Sequence, residues 1–185
     1  KEIYNMYVKF FKRFLDIVIS LISLIILSVL FLVIGLIIKF VDPGPILFVT
    51  QRIGRKGCIF DFYKFRSMPP STDVVASDKL GEIKITWFGR FIRRSNLDEL
   101  PQLWNILKGD MSIIGPRPSL ISQTKLIELR KENGALECRP GLSGLAQVNS
   151  YDGMNFDVKA KFDADYAANI TFLGDLKIFL RTLLY

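Results

Sequence analysis

The 185-residue chain contains no histidine. That absence excludes Ser-His-Asp and Cys-His nucleophilic mechanisms and the usual histidine-based metal sites. Any acid, base or nucleophile must come from Asp, Glu, Lys, Tyr, Ser or Cys. Cysteine is scarce as well: Cys58 and Cys138 stand far apart without CxxC spacing, so neither a disulfide framework nor a zinc site is supported. No internal repeat or low-complexity tract occurs. The polar composition of disorder is also missing, because half of the residues are apolar and the length suits one domain with a real core. The chain begins at Lys1 rather than Met, the form of a processed or trimmed product.

What is present first is positive charge. Twenty-five Lys and Arg against 18 Asp and Glu give +7 and a pI near 9.5, which points to an anionic partner: nucleic acid, an acidic membrane surface or a phosphorylated substrate. The basic residues are interleaved with apolar stretches and form no groove-reading motif, which counts against nucleic acid.

From Ile17 to Ile38 runs "IVISLISLIILSVLFLVIGLII", uncharged throughout and long enough to cross a bilayer as a helix. It is too long for a signal-peptide core, and no small-residue cleavage site follows. Lys1, Lys9, Lys12 and Arg13 precede it among Phe10, Phe11 and Phe14, and a basic domain follows, so both flanks favour the cytoplasmic side. A straight span would export the basic N-terminus, whereas a re-entrant helix keeps both flanks inside. Ser28, through a hydroxyl bonded one turn back, and Gly35 are the candidates for the break.

"DPGP" at 42–45 ends this segment as a turn, and "PILFVTQR" with "CIFDFYKFRSM" predicts a short β-hairpin around a glycine-containing turn. Residues 69–82 read as a surface loop. In "ITWFGRFIRRSN", Trp87, Phe88 and Phe91 alternate with Arg90, Arg93 and Arg94, which suits an amphipathic helix at an anionic lipid interface. Further helices are expected over "LDELPQL" and about 119–133, a tight turn at Gly141 and Gly144, and a second interfacial helix in the tail "LGDLKIFLRTLLY". The expected fold class is therefore α+β and mostly helical. Residues 1–41 form a basic flank and membrane-inserted helix, and residues 42–185 one compact membrane-associated catalytic domain.

Within "NLDELPQLWNIL", Asp98 and Glu99 are adjacent carboxylates just before Pro101. Ser95 and Asp98 fit an S-x-x-D capping pattern, so the bland reading is a first-turn carboxylate steadying a helix start. Arginines around the pair argue for more: Arg93 and Arg94 upstream, Arg117 between Pro116 and Pro118, and Arg139 before Pro140. Rigidly framed arginines suit bidentate phosphate recognition. A carboxylate beside them can act as a nucleophile, and a second can hold magnesium together with substrate phosphates. These residues suggest phosphoryl transfer at a membrane surface.

The motifs "KRFLD", "YKFRSM", "FGRFIRRSNLDELPQLWNILKGDMSIIGPRP", "RPGLSGLAQV" and "DLKI", in this order from Lys12 to Ile178, resemble the bacterial sugar transferases, the monotopic phosphoglycosyl transferases, in their small minimal-domain form. The resemblance implies transfer of a sugar 1-phosphate from a UDP-sugar to a membrane polyprenol phosphate of the undecaprenyl type, with Mg2+ and release of UMP. It places the chain in the bacterial inner membrane with its catalytic domain on the cytoplasmic face. By position it makes Asp98 the nucleophile of a covalent phosphosugar intermediate and Glu99 the magnesium-associated carboxylate. Arg93 becomes a phosphate contact and Arg117 the arginine of the PRP motif. Arg139 and Gln147 are candidates for nucleotide contacts, and Lys64 and Arg66 for contacts that support the site. The family commonly breaks its membrane helix with Ser-Pro, where this chain has Ser28-Val29. Valine keeps its backbone N–H and adds no ring clash, which weakens the break. A catalytically silent membrane scaffold of the same fold is the alternative, and a homodimer is left open.

Overall fold

The structure, a computed structural model, describes residues 6–69, 85–149 and 154–184. The predicted surface loop at 69–82 lies, but for Pro69, outside them. A π-helical turn, Tyr7–Phe11, leads into α1 (Lys12–Ile26), followed by α2 (Ser28–Val41), β1 (Leu47–Ile53), β2 (Ile59–Phe65), α3 (Trp87–Arg94) and α4 (Gln102–Lys108). Then come β3 (Ser112–Ile114), β4 (Ser119–Leu120), α5 (Thr124–Glu132), β5 (Gly141–Ser143), α6 (Leu145–Asn149), α7 (Phe156–Ala168) and α8 (Phe172–Leu183). The class is α+β and mostly helical, as expected. The predicted hairpin is β1–β2, extended by β4 into an antiparallel sheet of order β2-β1-β4, and β3 pairs with β5 in parallel. The helix expected over 119–133 starts only at Thr124, because Ser119 and Leu120 are drawn onto β1 as a strand.

The apolar run is not one helix. Its two halves meet at Leu27, whose φ/ψ of −86°/3° leaves the helical region, and diverge by 61°. At 1.5 Å per residue each half is about 21–23 Å long, short of a hydrocarbon core of about 30 Å. No single helix among the described residues is long and apolar enough to cross a membrane, and only the bent pair together passes that test. The bend falls next to Ser28 and a full two turns before Gly35, which faces the Ile46 side chain. Packing accounts for it. Leu24 and Leu27 lie against Phe62, Leu103, Ile106 and Met111, while Leu30, Phe31, Ile34 and Ile38 join Phe65, Phe88 and Ile92 in a separate core cluster. A straight helix would reach one cluster and miss the other.

Around the bend the apolar side chains stay outside: Ile25, Ile26 and Val29 are 65, 71 and 70% exposed. The start of α1 is tied down instead. Lys12 Nζ donates to Asp175 Oδ2 (2.6 Å) and to the carbonyl of Ile114 (2.9 Å), and Arg13 donates to the carbonyls of Ile106 and Leu107 at the end of α4. Buried Asp16 accepts from Ser112 Oγ (3.0 Å) and from the Ile113 N–H (2.9 Å). The residues of "KRFLD" thus anchor the helix pair to the rest of the fold, beyond any role as a charged flank. At the other end, Val41 passes through the DPGP turn into β1, where buried Arg66 donates to the Asp42 carbonyl and lies 3.6 Å from its carboxylate. Helix α7, which the sequence reading passed over, buries Asp163 against Arg130 of α5 (2.7 Å).

Candidate active site

The site begins where α3 stops. Ser95 turns out of the helix, and Asn96 takes φ 56°, a left-handed conformation that Asn tolerates better than most residues. Ser95 Oγ donates back to the Phe91 carbonyl (2.8 Å), and no side chain caps α4. The S-x-x-D capping reading is therefore overturned. Asp98 and Glu99 occupy a separate 3₁₀ turn, Leu97–Glu99, between the helices. The left-handed residue swings this turn against β2, so that a carboxylate only 5% exposed comes to face charged side chains.

Two elements supply the cations. Lys64 on β2 reaches Glu99 Oε1 at 2.6 Å and lies 3.7 Å from Asp98 Oδ2. Arg117, two residues before β4, grips Glu99 with both arms: Nη2 to Oε1 at 2.5 Å and Nη1 to Oε2 at 3.3 Å. Its loop is held by backbone zippering. Gly115 donates to the Ser143 carbonyl and Gly141 to the Pro116 carbonyl, an approach so close that a Cβ on Gly115, Gly141 or Gly144 would strike backbone. Arg130 adds a hydrogen bond from Nη1 to the Arg117 carbonyl (2.9 Å) while its other nitrogens hold Asp163. Removing one partner of such a buried pair costs about 3–5 kcal/mol.

These surroundings drive the two neighbouring acids in opposite directions. Burial, opposed by the charge of Lys64 and reinforced by Glu99, pushes the Asp98 carboxyl up to about 6. Burial acts on Glu99 too and is the largest single influence. The charges and hydrogen bonds of Arg117 and Lys64 together outweigh it and hold that carboxyl well below the usual range. Pairs of titratable groups driven apart in this way mark a division of chemical roles. Glu99 stays ionised and cation-bound. Asp98, raised to about 6, is more basic than an ordinary carboxylate.

The remaining expected site residues divide by position. The positive charge of Arg93 acts on Asp98. Arg66 donates through Nη2 to the Asp42 carbonyl at the end of α2 and lies 3.6 Å from its carboxylate. Arg139 donates to the Gly109 carbonyl (3.1 Å) and has Arg13 and Arg55 as charged neighbours, while the Gln147 amide donates to the Leu142 carbonyl (3.1 Å). The structure thus gathers Asp98, Glu99, Lys64, Arg93 and Arg117, and gives Arg66, Arg139 and Gln147 partners elsewhere. One residue was missed: Arg52 of β1, whose charged neighbours are Arg117 and Glu99. The signal available was parity, since a hairpin in this register puts residues 52 and 64 on one face.

Magnesium prefers oxygen ligands and is commonly held by one or two carboxylates, with water and substrate phosphates completing the shell. Adjacent Asp98 and Glu99 fit that pattern. Among the described residues no group of three or more Asp, Glu, Cys or His forms an all-protein cage.

A buried carboxylate beside an ionised partner and several cations, with no histidine, suits phosphoryl-group chemistry. The chain matches the bacterial sugar transferase family over residues 7–185 and belongs to it. It is 37% identical to the undecaprenyl-phosphate galactose phosphotransferase of Salmonella typhimurium over 94% of this chain, which spans only 40% of that protein. It is 36% identical to the exopolysaccharide production protein ExoY of Sinorhizobium fredii, over 93% of this chain and 83% of the relative. The UDP-glucose:undecaprenyl-phosphate glucose-1-phosphate transferase of Caulobacter vibrioides is 38% identical over 92% of this chain and 67% of its own length.

The opposed shifts predict opposed stabilities. Asp98, whose folded-state pKa is raised from 3.8 to about 6, destabilises the folded state once pH exceeds that range. Asp98→Asn therefore raises stability at pH 8 by on the order of 1–3 kcal/mol, a gain that shrinks as pH falls from about 6 to about 4. Glu99, lowered on folding, stabilises above the ordinary carboxylate range, so Glu99→Gln costs on the order of 2 kcal/mol at pH 8 and less in acid. Thermal melts of both variants across this pH range check the pair, and two shifts of the same sign would contradict it.

Proposed function

We propose that the chain transfers a sugar 1-phosphate from a UDP-sugar to a polyprenol phosphate of the undecaprenyl type through a phosphosugar-aspartyl intermediate. The observation that carries this reading is the adjacent acid pair, one basic and one clamped, inside a ring of cations. Names of relatives support the substrates: two are called undecaprenyl-phosphate sugar-phosphate transferases, one of them with a UDP-sugar donor.

In the first half-reaction an Asp98 carboxylate oxygen attacks the sugar-linked phosphorus. An acyl phosphate bond forms, the anhydride bond to the second phosphate breaks, and UMP departs with the bonding electrons. No proton moves, which fits a site without histidine. In the second half-reaction a polyprenol phosphate oxygen attacks the same phosphorus, the Asp98–phosphorus bond breaks, and the free carboxylate is restored with a polyprenyl diphosphosugar as product. Arg93 and Lys64, beside Asp98, stabilise the charge gathering on the attacked group. Arg117 keeps Glu99 ionised and oriented. Magnesium, held by Glu99 with help from Asp98 and the donor phosphates, would neutralise phosphate oxygens.

The acceptor is a lipid, so the site must lie at a membrane. The bent pair α1–α2, exposed and apolar around Leu27, supplies the inserted element. Both of its ends are fixed to one body, at Lys12–Asp175 and at Arg66–Asp42, so the pair leaves a bilayer by the face it came in. Exposed Trp87, Phe91 and Trp104 near the site suit the lipid interface. This is the re-entrant topology, with the catalytic domain on the cytoplasmic face of the bacterial inner membrane.

Two experiments test the reading. Purified protein in nanodiscs with Mg2+ and polyprenol phosphate releases UMP from at least one member of a UDP-sugar panel, and Asp98→Asn abolishes the release; no release across a broad panel moves the reading to a silent scaffold. For topology, exposed Lys9 and Lys177 are replaced singly by cysteine after Cys58 and Cys138 are changed to serine. Both cysteines react with an impermeant maleimide from the cytoplasmic face only. Reaction of Lys9→Cys from the opposite face would establish a straight span.

A further inference from the structure

Arg52 has no role in the steps above, yet the fold brings its charge into the site by two independent routes. In the β1–β2 register Arg52 lies opposite Phe60 and Thr50 opposite Phe62, so Thr50, Arg52, Phe60, Phe62 and Lys64 share one face of the hairpin. The Phe62 ring lies between the two cations on that face, 5.2 Å from the Arg52 guanidinium and 5.7 Å from Lys64 Nζ. On its other side β1 pairs with β4, Arg52 opposite Leu120 and Ile53 opposite Ser119, which brings the Arg117 loop alongside. Within the protein, Arg52 Nε makes a long 3.4 Å hydrogen bond to Thr50 Oγ1. A half-buried guanidinium beside a second one is unfavourable without an anion to share. Among the described residues, Glu99, already gripped by Lys64 and Arg117, is the anion whose charge also acts on Arg52.

The cluster therefore has two ends. Asp98 has Lys64, Glu99, Arg93 and Arg117 as charged neighbours, whereas Arg52 has Arg117 and Glu99. Arg117 and Glu99 are common to both, Lys64 and Arg93 belong to the Asp98 end, and Arg52 stands across the Phe62 ring from Lys64, so a diphosphate attacked at Asp98 would set its second phosphate toward Arg52.

We propose that Arg52 binds the phosphate that is not attacked: the nucleotide phosphate that leaves in the first half-reaction and, in its place, the polyprenol phosphate that attacks in the second. This rests on the two-step transfer proposed above. In the first step the anhydride oxygen takes the bonding electrons onto that phosphate, and the Arg52 guanidinium neutralises the charge it acquires. In the second step the same guanidinium orients the incoming phosphate oxygen. Water attacking the phosphosugar-enzyme carries no phosphate and has no use for Arg52.

That difference gives the test. Wild type, Arg52→Gln and Arg52→Lys in nanodiscs are mixed with the UDP-sugar that wild type accepts, with Mg2+ and without acceptor, and the rate of UMP release is followed. The phosphosugar-enzyme is then challenged separately with UMP, polyprenol phosphate and water. Arg52→Gln slows UMP release, reversal by UMP and transfer to polyprenol phosphate by about 100-fold, the loss typical of removing one donor to developing charge. Hydrolysis by water stays at the wild-type rate, and Arg52→Lys recovers part of the loss. An Arg52→Gln enzyme that releases UMP at the wild-type rate, or that slows hydrolysis as much as reversal by UMP, overturns the assignment of Arg52 alone. Wild type that releases no UMP from any donor overturns the transfer reading and this inference with it.

Discussion

The contact on which the site depends is the grip of Lys64 and Arg117 on Glu99. It joins three parts of the chain: a strand of the hairpin, the loop before β4 and the short turn between α3 and α4. Each part is fixed by other means first. Asn105 pins α4 to the outer edge of β2, accepting from the Tyr63 N–H and donating to the Asp61 carbonyl, so the turn preceding α4 arrives at a set distance from Lys64. The Arg117 loop is zipped to the strand after Arg139 and held by Arg130. The charges meet because the backbones are already in place.

This order explains why neighbouring acids behave so differently. Glu99 faces the two cations directly and is tied to both. Asp98, one residue earlier in the turn, has the less exposed side chain, 7% against 14%, and stands 3.7 Å from Lys64. Burial dominates for one and ion pairing for the other, although sequence separates them by a single bond. A turn of three residues, entered through a left-handed asparagine, gives the two carboxylates different surroundings that a regular helix start would not.

Much of this was legible in the chain. The apolar run, the hairpin and the Asp98-Glu99 pair declare themselves by length, alternation and adjacency, and the histidine-free composition narrows the chemistry. What was not legible depends on contacts between distant segments. The bend at Leu27 has no breaker residue and follows from two separate core clusters that each need half of the run. Arg66, Arg139 and Gln147 look in sequence like Arg93 and Arg117, and only the tertiary structure assigns their polar groups to Asp42, Gly109 and Leu142. Arg52 was hidden because its place depends on strand register, which a hairpin turn sets and composition does not reveal. The helix expected across "LDELPQL" is not continuous: Leu97–Glu99 is a 3₁₀ turn, and α4 begins only at Gln102, just after Pro101, which has no N–H to donate.

The central claim is that Asp98, the more basic member of the pair, carries the transferred group. Intact-protein and peptide mass spectrometry after incubation with donor and Mg2+, without acceptor, examines it directly. The account predicts a mass gain of one sugar phosphate, located on the peptide containing Asp98 and lost on addition of polyprenol phosphate. A gain on any other residue, or UMP release without any covalent adduct under acid quench, would contradict it.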